Sequence, residues 1–547
     1  MSVVTATILS SGRRIDPSYE LMSVDIIREV NRIPRAQIVL IDGAAAQQRF
    51  PISDADTFKP GSPIEINLRY EDEPELKDGA FKELVVGQRV EAGAHGSLLT
   101  VELKDAAFRL TLARKSVVHR DQSDGQVIEH IIAASGLKHG VIAATQPRHA
   151  ELVQYYCSDW DFIVARAEAN GLLVIVDDGA ISLPKISIRG AVQHHFEYGR
   201  SEIFDFEIEA DGASQMADVQ SVAWDIKNHA LTGAARAKHF PLAQGNLDGK
   251  QIASALGAET TVLRNGAPLD PQELQSWADG ALARSRLALL RGRIAIPGLA
   301  GIKLMDVIEV AGIGKRFNGK TLVTGIRHRV DQQGWRTDVQ FGLSAERFAE
   351  RPDIADAPAA GLLPAVSGLQ IGVVDRFEED PAKEYRVKVL LPGIDEKKGT
   401  VWARLASPDA GKGRGSFFRP EPGDEVVVGF FNDDPRQAVI LGAMYGSKNT
   451  PPADLSQLTR ENKKKAIVTK KGTTIGFVDD SKSSVFIQTP DSNKIVLDDD
   501  AQAIRISDQH GNTITMNKDG IAIKSAKNLT IEAGGNVEIK GQKVDVK

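Results

Sequence analysis

The last 77 residues of this 547-residue chain repeat one short unit, and this repeat constrains the fold more strongly than any other feature. Each unit holds two apolar residues with one residue between them, followed by a turn rich in Asp, Asn, Ser and Gly. A period of two predicts a β-strand with one apolar and one polar face. The nine apolar pairs are Ile475/Phe477, Val485/Ile487, Ile495/Leu497, Ile504/Ile506, Ile514/Met516, Ile521/Ile523, Leu529/Ile531, Val537/Ile539 and Val544/Val546.

The strands of this repeat need partners, because one unit is too short to enclose a core. The distance between successive pairs falls from nine or ten residues to seven or eight toward the C-terminus. We predict that three copies of the chain wind together as an intertwined triple-stranded β-helix, a triangular prism whose core is filled by the first eight pairs. An antiparallel meander within one chain is the alternative, since it also gives short strands separated by Gly and Asp turns.

Composition and charge exclude several functions. The net charge is -6 and aromatic residues make up only 6% of the chain, which gives no electrostatic reason to expect nucleic acid or anionic lipid as a partner. Cys157 is the only cysteine, so no intrachain disulfide can form, as is usual for synthesis in a reducing compartment. The longest aliphatic run, residues 172–176, is too short to cross a bilayer, and the N-terminus has no signal-peptide pattern.

Two segments read as linkers: an Ala/Pro/Gly-rich stretch over 351–364, and a stretch over 448–470 that contains two prolines and a basic run. We therefore predict four parts: a mainly β domain with some α over 1–356, a small domain over 365–447, the linker 448–470 and the needle 471–547. In the first part the clearest helix runs from Pro271 to Arg291. Asp270 suits its N-cap, and Glu273 completes a capping-box pattern.

Residues 365–447 contain five short apolar strands joined by Gly, Pro and Asp turns. Five strands in about eighty residues are typical of the small closed OB-fold barrel, which binds oligonucleotides or oligosaccharides in many proteins. These strands show no interleaved basic and aromatic platform for nucleic acid. The basic loop 411–415 is predicted to be a solvated turn. The predicted strands cover 368–374, 385–391, 401–405, 424–430 and 438–441.

Several long motifs resemble one family in register. Residues 371–446 look like the barrel of the valine-glycine repeat protein G family, VgrG, and of related contractile phage tail spikes. The N-terminal part is similar to the hub domain of the same family. The motifs that carry the likeness are Tyr-Arg-Val-Lys-Val (385–389), Val-Trp-Ala-Arg-Leu-Ala-Ser-Pro (401–408), Pro-Glu-Pro-Gly-Asp-Glu-Val-Val-Val-Gly-Phe (420–430), Asp-Asp-Pro-Arg-Gln-Ala-Val-Ile-Leu-Gly-Ala-Met-Tyr (433–445), Gln-Tyr-Tyr-Cys-Ser-Asp-Trp-Asp-Phe (154–162), Glu-Ala-Asn-Gly-Leu (168–172) and Phe-Asn-Gly-Lys-Thr-Leu-Val-Thr-Gly-Ile-Arg-His (317–328).

The resemblance implies a homotrimeric spike of a contractile injection system, assembled in the bacterial cytoplasm in a phage tail-like particle and fired outward. Its hub would hold two β-barrels per chain and an α/β insertion around 116–215. Implied partners are a hexameric inner-tube protein, baseplate proteins and a PAAR-repeat tip protein, while an effector or adaptor stays open. We expect the tip protein to dock on the open end of the needle, at Val544, Val546 and Lys547.

We expect a structural protein and no cofactor or metal. The sequence 212–216 lacks the second glycine of a serine-hydrolase motif, and adjacent His194 and His195 would point to opposite faces of a strand. Asp498–Asp500 and Glu421 with Asp424 read as turns, and Cys157 as a buried residue. Two other functions stay open: a cell-wall-degrading enzyme carried on a spike, and a trimeric adhesin or tail fibre. Cargo, target cell and the type of injection system are not determined.

Overall fold

The computed structural model describes residues 3–43, 48–71, 80–93, 96–242, 244–355, 357–457 and 459–547. The chain divides into two compact units, residues 1–356 and 357–547. Strands dominate both units, as the sequence predicts.

The first unit contains four helices and twenty-two strands among its described residues. The helices are α1 (Asp124–Ala134), α2 (Asp159–Ala169), α3 (Gly249–Ala255) and α4 (Pro271–Leu287). The strands are β1 (Val4–Ser10), β2 (Arg13–Arg14), β3 (Leu21–Glu29), β4 (Arg35–Ile41), β5 (Pro63–Tyr70), β6 (Ala80–Gly93), β7 (Gly96–Lys104), β8 (Arg114–Ser123), β9 (Lys138–Ile142), β10 (Arg148–Ser158), β11 (Ile175–Asp177), β12 (Ala180–Leu183), β13 (His194–Glu197), β14 (Asp205–Ala210), β15 (Val219–Asp225), β16 (Ala230–Leu231), β17 (Ala235–Arg236), β18 (Thr261–Asn265), β19 (Leu290–Pro297), β20 (Val307–Ala311), β21 (Gly319–Asp331) and β22 (Gly334–Phe341).

The framework of this unit is one sheet of thirteen strands. The sequence predicts two barrels in this unit, and in the structure the strand pairings join the two halves of the sheet through the long strand β21. The first residues of β21 pair with β20, while Gly325–Val330 pair with β3. One half of the sheet encloses a core around Ile38, Phe58 and Val101, and the other half encloses a core around Ile308 and Val339. A strand of 13 residues is long enough to serve both halves.

An α/β insertion follows β7, in the region where the sequence predicts one. It contains the two-stranded ribbon of β8 and β10, the small sheet of β9, β11 and β12, and the helices α1 and α2. Both helices begin at a serine N-cap: Ser123 accepts a hydrogen bond from the Gln126 N–H, and Ser158 accepts one from the Asp161 N–H. Their apolar faces pack into a core of their own.

Helix α4 begins as predicted and ends earlier. The side chain of Asp270 caps it by accepting from the N–H of Gln272, and Pro271 takes the first helical position. The helix stops at Leu287, because the chain enters β19 at Leu290. The predicted capping box is wrong: Glu273 accepts a hydrogen bond from Arg166 of α2 at 2.9 Å.

In the second unit, five strands close into a barrel in the order β23-β24-β25-β29-β28. This is the strand order of an OB-fold, with the third and fifth strands parallel, and it confirms the barrel predicted for 365–447. The strands of the unit, including the small β26–β27 hairpin, are β23 (Gln370–Val374), β24 (Val387–Leu390), β25 (Thr400–Leu405), β26 (Ala410–Gly411), β27 (Arg414–Gly415), β28 (Glu425–Phe430), β29 (Ala438–Ala443), β30 (Lys464–Val468), β31 (Thr474–Val478), β32 (Ser484–Gln488), β33 (Lys494–Asp498), β34 (Ala503–Ser507), β35 (Thr513–Asn517) and β36 (Gly520–Lys524).

The repeat forms an antiparallel meander over 464–524, in which each of the strands β30–β36 pairs with the next one along the chain. The antiparallel meander within one chain, which the sequence left open as the alternative, is therefore the hydrogen-bonding pattern of these seven strands. The meander also begins earlier than predicted, because β30 lies in the segment assigned to the linker. Residues 525–547, which hold the last three apolar pairs, form no strand within the described part of the chain.

Candidate functional site

The meander places all its apolar pairs on one face. In an antiparallel sheet, residues directly opposite each other project to the same side. Here every member of a predicted pair faces a member of the next pair, so the pairs build two continuous rows. One row consists of seven isoleucines: Ile467, Ile475, Ile487, Ile495, Ile506, Ile514 and Ile523. The second row contains Phe477, Val485, Leu497, Ile504, Met516 and Ile521.

These two rows, which we call the apolar face, are left open to solvent by the chain itself. Most of their side chains are about two-fifths exposed, and Ile521 is 70% exposed. An apolar strip as long as a seven-stranded sheet is far larger than the scattered apolar residues that monomeric proteins expose. The apolar face therefore requires a partner of matching length.

On the opposite face of the meander, side chains pack on one another around Phe486. The ring of Phe486 lies on Gly476, where a Cβ atom would come within 2.2 Å of the ring. The ammonium of Lys494 lies 5.0 Å from the centre of the same ring. Phe486, which lies between Val485 and Ile487 in the sequence, thus packs on its own chain. The surface left for another molecule here is the apolar face.

Ion pairs lie at one edge of the meander, where β31 turns into β32 and β33 turns into β34. They are exposed, so each contributes little to stability, but together they keep that edge polar. Asp500 belongs to the acidic turn that the sequence singled out, and Asp498 closes this turn by accepting from the Asp500 and Ala501 N–H groups. The pairs are Lys463 with Asp480 at 3.1 Å, Lys465 with Asp479 at 2.5 Å and Lys482 with Asp500 at 2.6 Å.

The predicted docking residues lie at the end of the irregular tail. Val544 and Lys547 are exposed, and Val546 is 92% exposed. Leu529, Ile531, Val537 and Ile539 are likewise more than half exposed. The tail forms no strand within the described chain, so these side chains have no neighbouring strand to pack on. The tail therefore adds apolar surface without a partner.

The first unit contains a buried charge network that sequence reasoning missed. The carboxylate of Asp124, on α1, accepts from Arg166 Nε at 2.6 Å, from Asn170 Nδ2 at 2.9 Å and from His149 Nε2 at 3.1 Å. Burial would raise the pKa of Asp124, but these bonds outweigh it and hold the pKa below its usual value. Arg166 also donates to Glu273, so one arginine ties α2 to both α1 and α4.

The motif Glu-Ala-Asn-Gly-Leu (168–172) has a structural explanation. Glu168 is buried beside the guanidinium of Arg284, accepts from Asn31 Nδ2 at 3.1 Å and accepts from the Phe348 N–H at 2.7 Å. One carboxylate therefore joins strand β3's end, helix α4 and the segment after β22. Gly171 has a φ of +65°, and a Cβ atom on Gly280 of α4 would lie only 2.8 Å from its Cα. The motif is a packing site, because its polar atoms are already hydrogen-bonded.

Glu83 is a buried carboxylate whose polar atoms are unsatisfied. Its side chain is almost fully buried, and neither carboxylate oxygen has a hydrogen-bond partner. Burial, with a smaller effect of the nearby Asp105, raises the pKa of Glu83 to about 11. Glu83 is therefore protonated at neutral pH.

Replacing Glu83 with glutamine should flatten the pH dependence of stability. The pKa of Glu83 in the folded chain, about 11, lies above its ordinary value of 4.5 in the unfolded chain. The stability contributed by Glu83 is therefore fully present below pH 4.5 and is lost as the pH rises toward 11. Between about pH 5 and about pH 9, the wild-type Tm should fall more steeply than that of Glu83→Gln in calorimetry. Parallel curves would contradict this assignment.

The remaining candidate residues have structural partners. His194 faces Asp306 at 3.4 Å and His195 faces Glu309 at 3.1 Å, so the two imidazoles point to different carboxylates. Cys157 is half-buried, less than predicted, and burial raises the pKa of its thiol. No group of acidic, His or Cys side chains in the described ranges is arranged to hold a metal ion.

The predicted turns of the barrel are confirmed. Arg414, in the basic loop, pairs with Asp409 at 2.7 Å across the β26–β27 hairpin. Asp424 accepts from the Glu421 N–H at 2.8 Å. The side chain of Glu421 in turn binds Lys470 of the meander at 2.8 Å.

Comparison with known families decides the identity. Residues 1–332 match the model of the Alg8 N-terminal domain, and residues 370–445 match the injector OB domain of the type VI secretion system and phage baseplate. Residues 484–547 match the C-terminal trimerisation domain of phage baseplate protein V. The chain belongs to the VgrG family of spike proteins. Its first part belongs to the Alg8 N-terminal domain family. None of the three descriptions names a catalytic domain.

Curated VgrG relatives align over much of the chain. The chain is 24% identical to the type VI secretion system spike protein VgrG1a of Pseudomonas aeruginosa over 465 residues, which cover 76% of this chain and 67% of VgrG1a. It is 31% identical to VgrG3 of Vibrio cholerae over 416 residues, 69% of this chain and 39% of VgrG3. With VgrG1b of Pseudomonas aeruginosa it shares 28% over 290 residues, 47% of this chain and 39% of that relative.

Solved structures give weaker likenesses. The tail protein of Neisseria meningitidis MC58 superposes with a TM-score of 0.46 at 12% identity, covering 64% of this chain and 99% of that protein. The Escherichia coli c3393 protein, a type VI secretion component, gives a TM-score of 0.39 at 11% identity over 80% of this chain and 99% of that protein. The family assignment therefore rests on the sequence matches.

The trimerisation-domain match overlaps the open apolar face. It covers residues 484–547, which include five of the seven meander strands and the tail. The VgrG chain is thus a homotrimer-forming spike component. No helix in the described part of the chain combines the length and the apolar character that crossing a bilayer requires.

Proposed function

We propose that this VgrG chain is the trimeric tip spike of a contractile injection system, with a mechanical and not a catalytic role. Residues 1–356 would sit on the six-subunit inner tube and the baseplate, residues 365–447 would form the neck, and the C-terminal part would form the needle that pierces the target envelope. An effector or adaptor protein would travel as a passenger.

The observation that carries the proposal is the apolar face. Three meanders that turn this face toward a common axis would form a triangular prism, with the first six predicted pairs and Ile467 in its core. Burying one Val, Ile or Leu side chain stabilises by about 1.5–3 kcal/mol, so three such faces give a rigid column. Rigidity is what a part driven by sheath contraction requires.

The irregular tail fits the same proposal. Leu529, Ile531, Val537 and Ile539 keep the strand pattern but find no strand partner within the described chain. Backbone groups of a strand need a paired neighbour, so these residues would pair with the tails of the two other copies. The shorter repeat of seven or eight residues begins near this transition. The intertwined helix would then be confined to the tail, beyond the meander.

Copurification tests the proposed place of the chain in the particle. A tagged chain expressed from its native locus should sediment with inner-tube and baseplate proteins, and electron microscopy with a labelled tag should mark one end of each particle. Recovery of the chain at the cell surface without tube proteins would contradict the proposal and support a trimeric adhesin.

The end of the needle is the proposed docking site for the PAAR-type tip protein. Val544, Val546 and Lys547 would form a layer of the column whose apolar side chains the tip protein covers. Deletion of 541–547 should abolish capture of a recombinant PAAR-repeat protein in a pull-down, whereas deletion of only Lys547 should weaken it slightly. Capture that is unchanged by the longer deletion would rule out this docking site.

A further inference from the structure

The OB barrel carries an aromatic and charged pocket of about 410 Å³ at one end, which the function described so far does not use. The loop between β23 and β24 supplies most of its wall, including Phe377 and Tyr385. Arg419, from the long loop before β28, completes it. The wall thus mixes aromatic rings with charged groups.

The pocket is preorganised by cation–π contacts. The guanidinium carbon of Arg419 lies 5.6 Å from the ring centre of Phe377 and 5.2 Å from that of Phe417. Arg419 makes no ion pair with any residue that the structure describes. Arg386, by contrast, is held by Asp380 at 2.7 Å. One cation therefore stays available between two rings.

Large aromatic side chains around the pocket are exposed. Tyr385, which lines the pocket, is 82% exposed, and Phe417, whose ring contacts Arg419, is 70% exposed. Clustered aromatic residues beside an arginine are the composition of the central residues of protein interfaces. A cavity with this rim therefore fits a protein surface.

The pocket lies at the barrel end from which the needle starts. Strand β23 ends there at Val374, β28 begins there at Glu425, and β29 leaves there at Ala443, because β23 and β29 both run antiparallel to β28. Lys470, in the first turn of the meander, is bound to Glu421 in the loop that enters β28. This contact holds the base of the meander against the same barrel end.

We infer that a second copy of this chain covers the pocket in the trimer. The inference rests on the proposed needle: if three meanders share one axis, the barrel ends fixed to their bases meet around it. The pocket surface then continues the trimerisation surface, and the exposed rings of one protomer enter the pocket of the next. Contacts between protomers then stabilise the neck of the spike as well as its needle.

Thiol labelling of the full-length protein tests whether the pocket is covered. Tyr385→Cys and Phe417→Cys report on the pocket, and Phe431→Cys, at the other end of the barrel, is the control. Phe431 is 54% exposed in the chain, less than Tyr385. Covered positions should react with a maleimide at least about tenfold more slowly than Phe431→Cys, after subtraction of the wild-type rate from Cys157. If the labelling rates instead follow the exposure of each residue in the single chain, with Tyr385→Cys faster than Phe431→Cys, the inference is overturned.

Photo-crosslinking identifies what covers the pocket. Benzoylphenylalanine in place of Phe417 should give a two-chain band on a denaturing gel after irradiation, whereas the same group in place of Phe431 should not. Crosslinks confined to one chain would overturn the inference. The mass of the same samples separates the two proposals: a trimer with a reactive pocket overturns only the pocket assignment, while a monomer overturns the needle and the pocket together.

Discussion

The double variant Ile495→Lys/Ile514→Lys is expected to be monomeric. Both residues belong to the row of seven isoleucines on the apolar face. In a trimer the two substitutions place six ammonium groups in an apolar core, and each buried, unpaired charge costs several kcal/mol. Mass photometry should show loss of the trimer at concentrations where the wild type is fully assembled.

The chain offers a closely matched control for this experiment. Val496 and Thr515 are the sequence neighbours of the two isoleucines, lie on the same strands and project from the opposite face. Val496→Lys/Thr515→Lys adds the same charge at the same height of the needle and should remain trimeric. Equal behaviour of the two double variants would show that the apolar face is not the trimer interface.

The second large effect is expected at the buried network of the hub. Asp124→Ala removes the carboxylate that binds Arg166, Asn170 and His149, and leaves the guanidinium of Arg166 without its main partner. Removing one partner of a buried ion pair lowers the free energy of unfolding by about 3–5 kcal/mol. Denaturant unfolding followed by tryptophan fluorescence should show this loss in the transition of the first unit, because Trp160 lies in the core beside the network.

An exposed ion pair in the same insertion is the control for that variant. Arg120 and Glu151 lie 2.9 Å apart on β8 and β10, and both side chains are more than half exposed. Glu151→Ala should change the unfolding free energy by no more than about 1 kcal/mol. Similar losses in Asp124→Ala and Glu151→Ala would mean that Asp124 does not hold the three helices together.

The repeat allowed the apolar face to be predicted residue by residue, but not the pairing of its strands. Alternation determines which side chains share a face, since Ile475 and Phe477 must point the same way in any strand. It does not determine which strands are neighbours, because a meander and an intertwined helix use the same alternation. Ile467 was missed because β30 lacks the apolar pair that marks the other strands. It has one apolar residue on the apolar face, Ile467, and at the second position Lys465 lies opposite Phe477.

In the hub and in the OB barrel, local patterns predicted elements better than connections. Asp270 and Pro271 located the start of α4, and five apolar runs located the barrel strands. The network around Asp124 could not be predicted, because its partners are 42 and 46 residues away along the chain. The two halves of the hub are joined because β21 pairs with β20 at one end and with β3 at the other. No local sequence pattern reveals such long-range pairing.

The mass of the full-length protein in solution tests the central claim most directly. If the apolar faces of three copies form one column, sedimentation equilibrium should find a single species at three times 59.1 kDa that persists on dilution. A folded, stable species at 59.1 kDa would mean that one chain satisfies its own apolar face, and the trimeric needle would have to be abandoned.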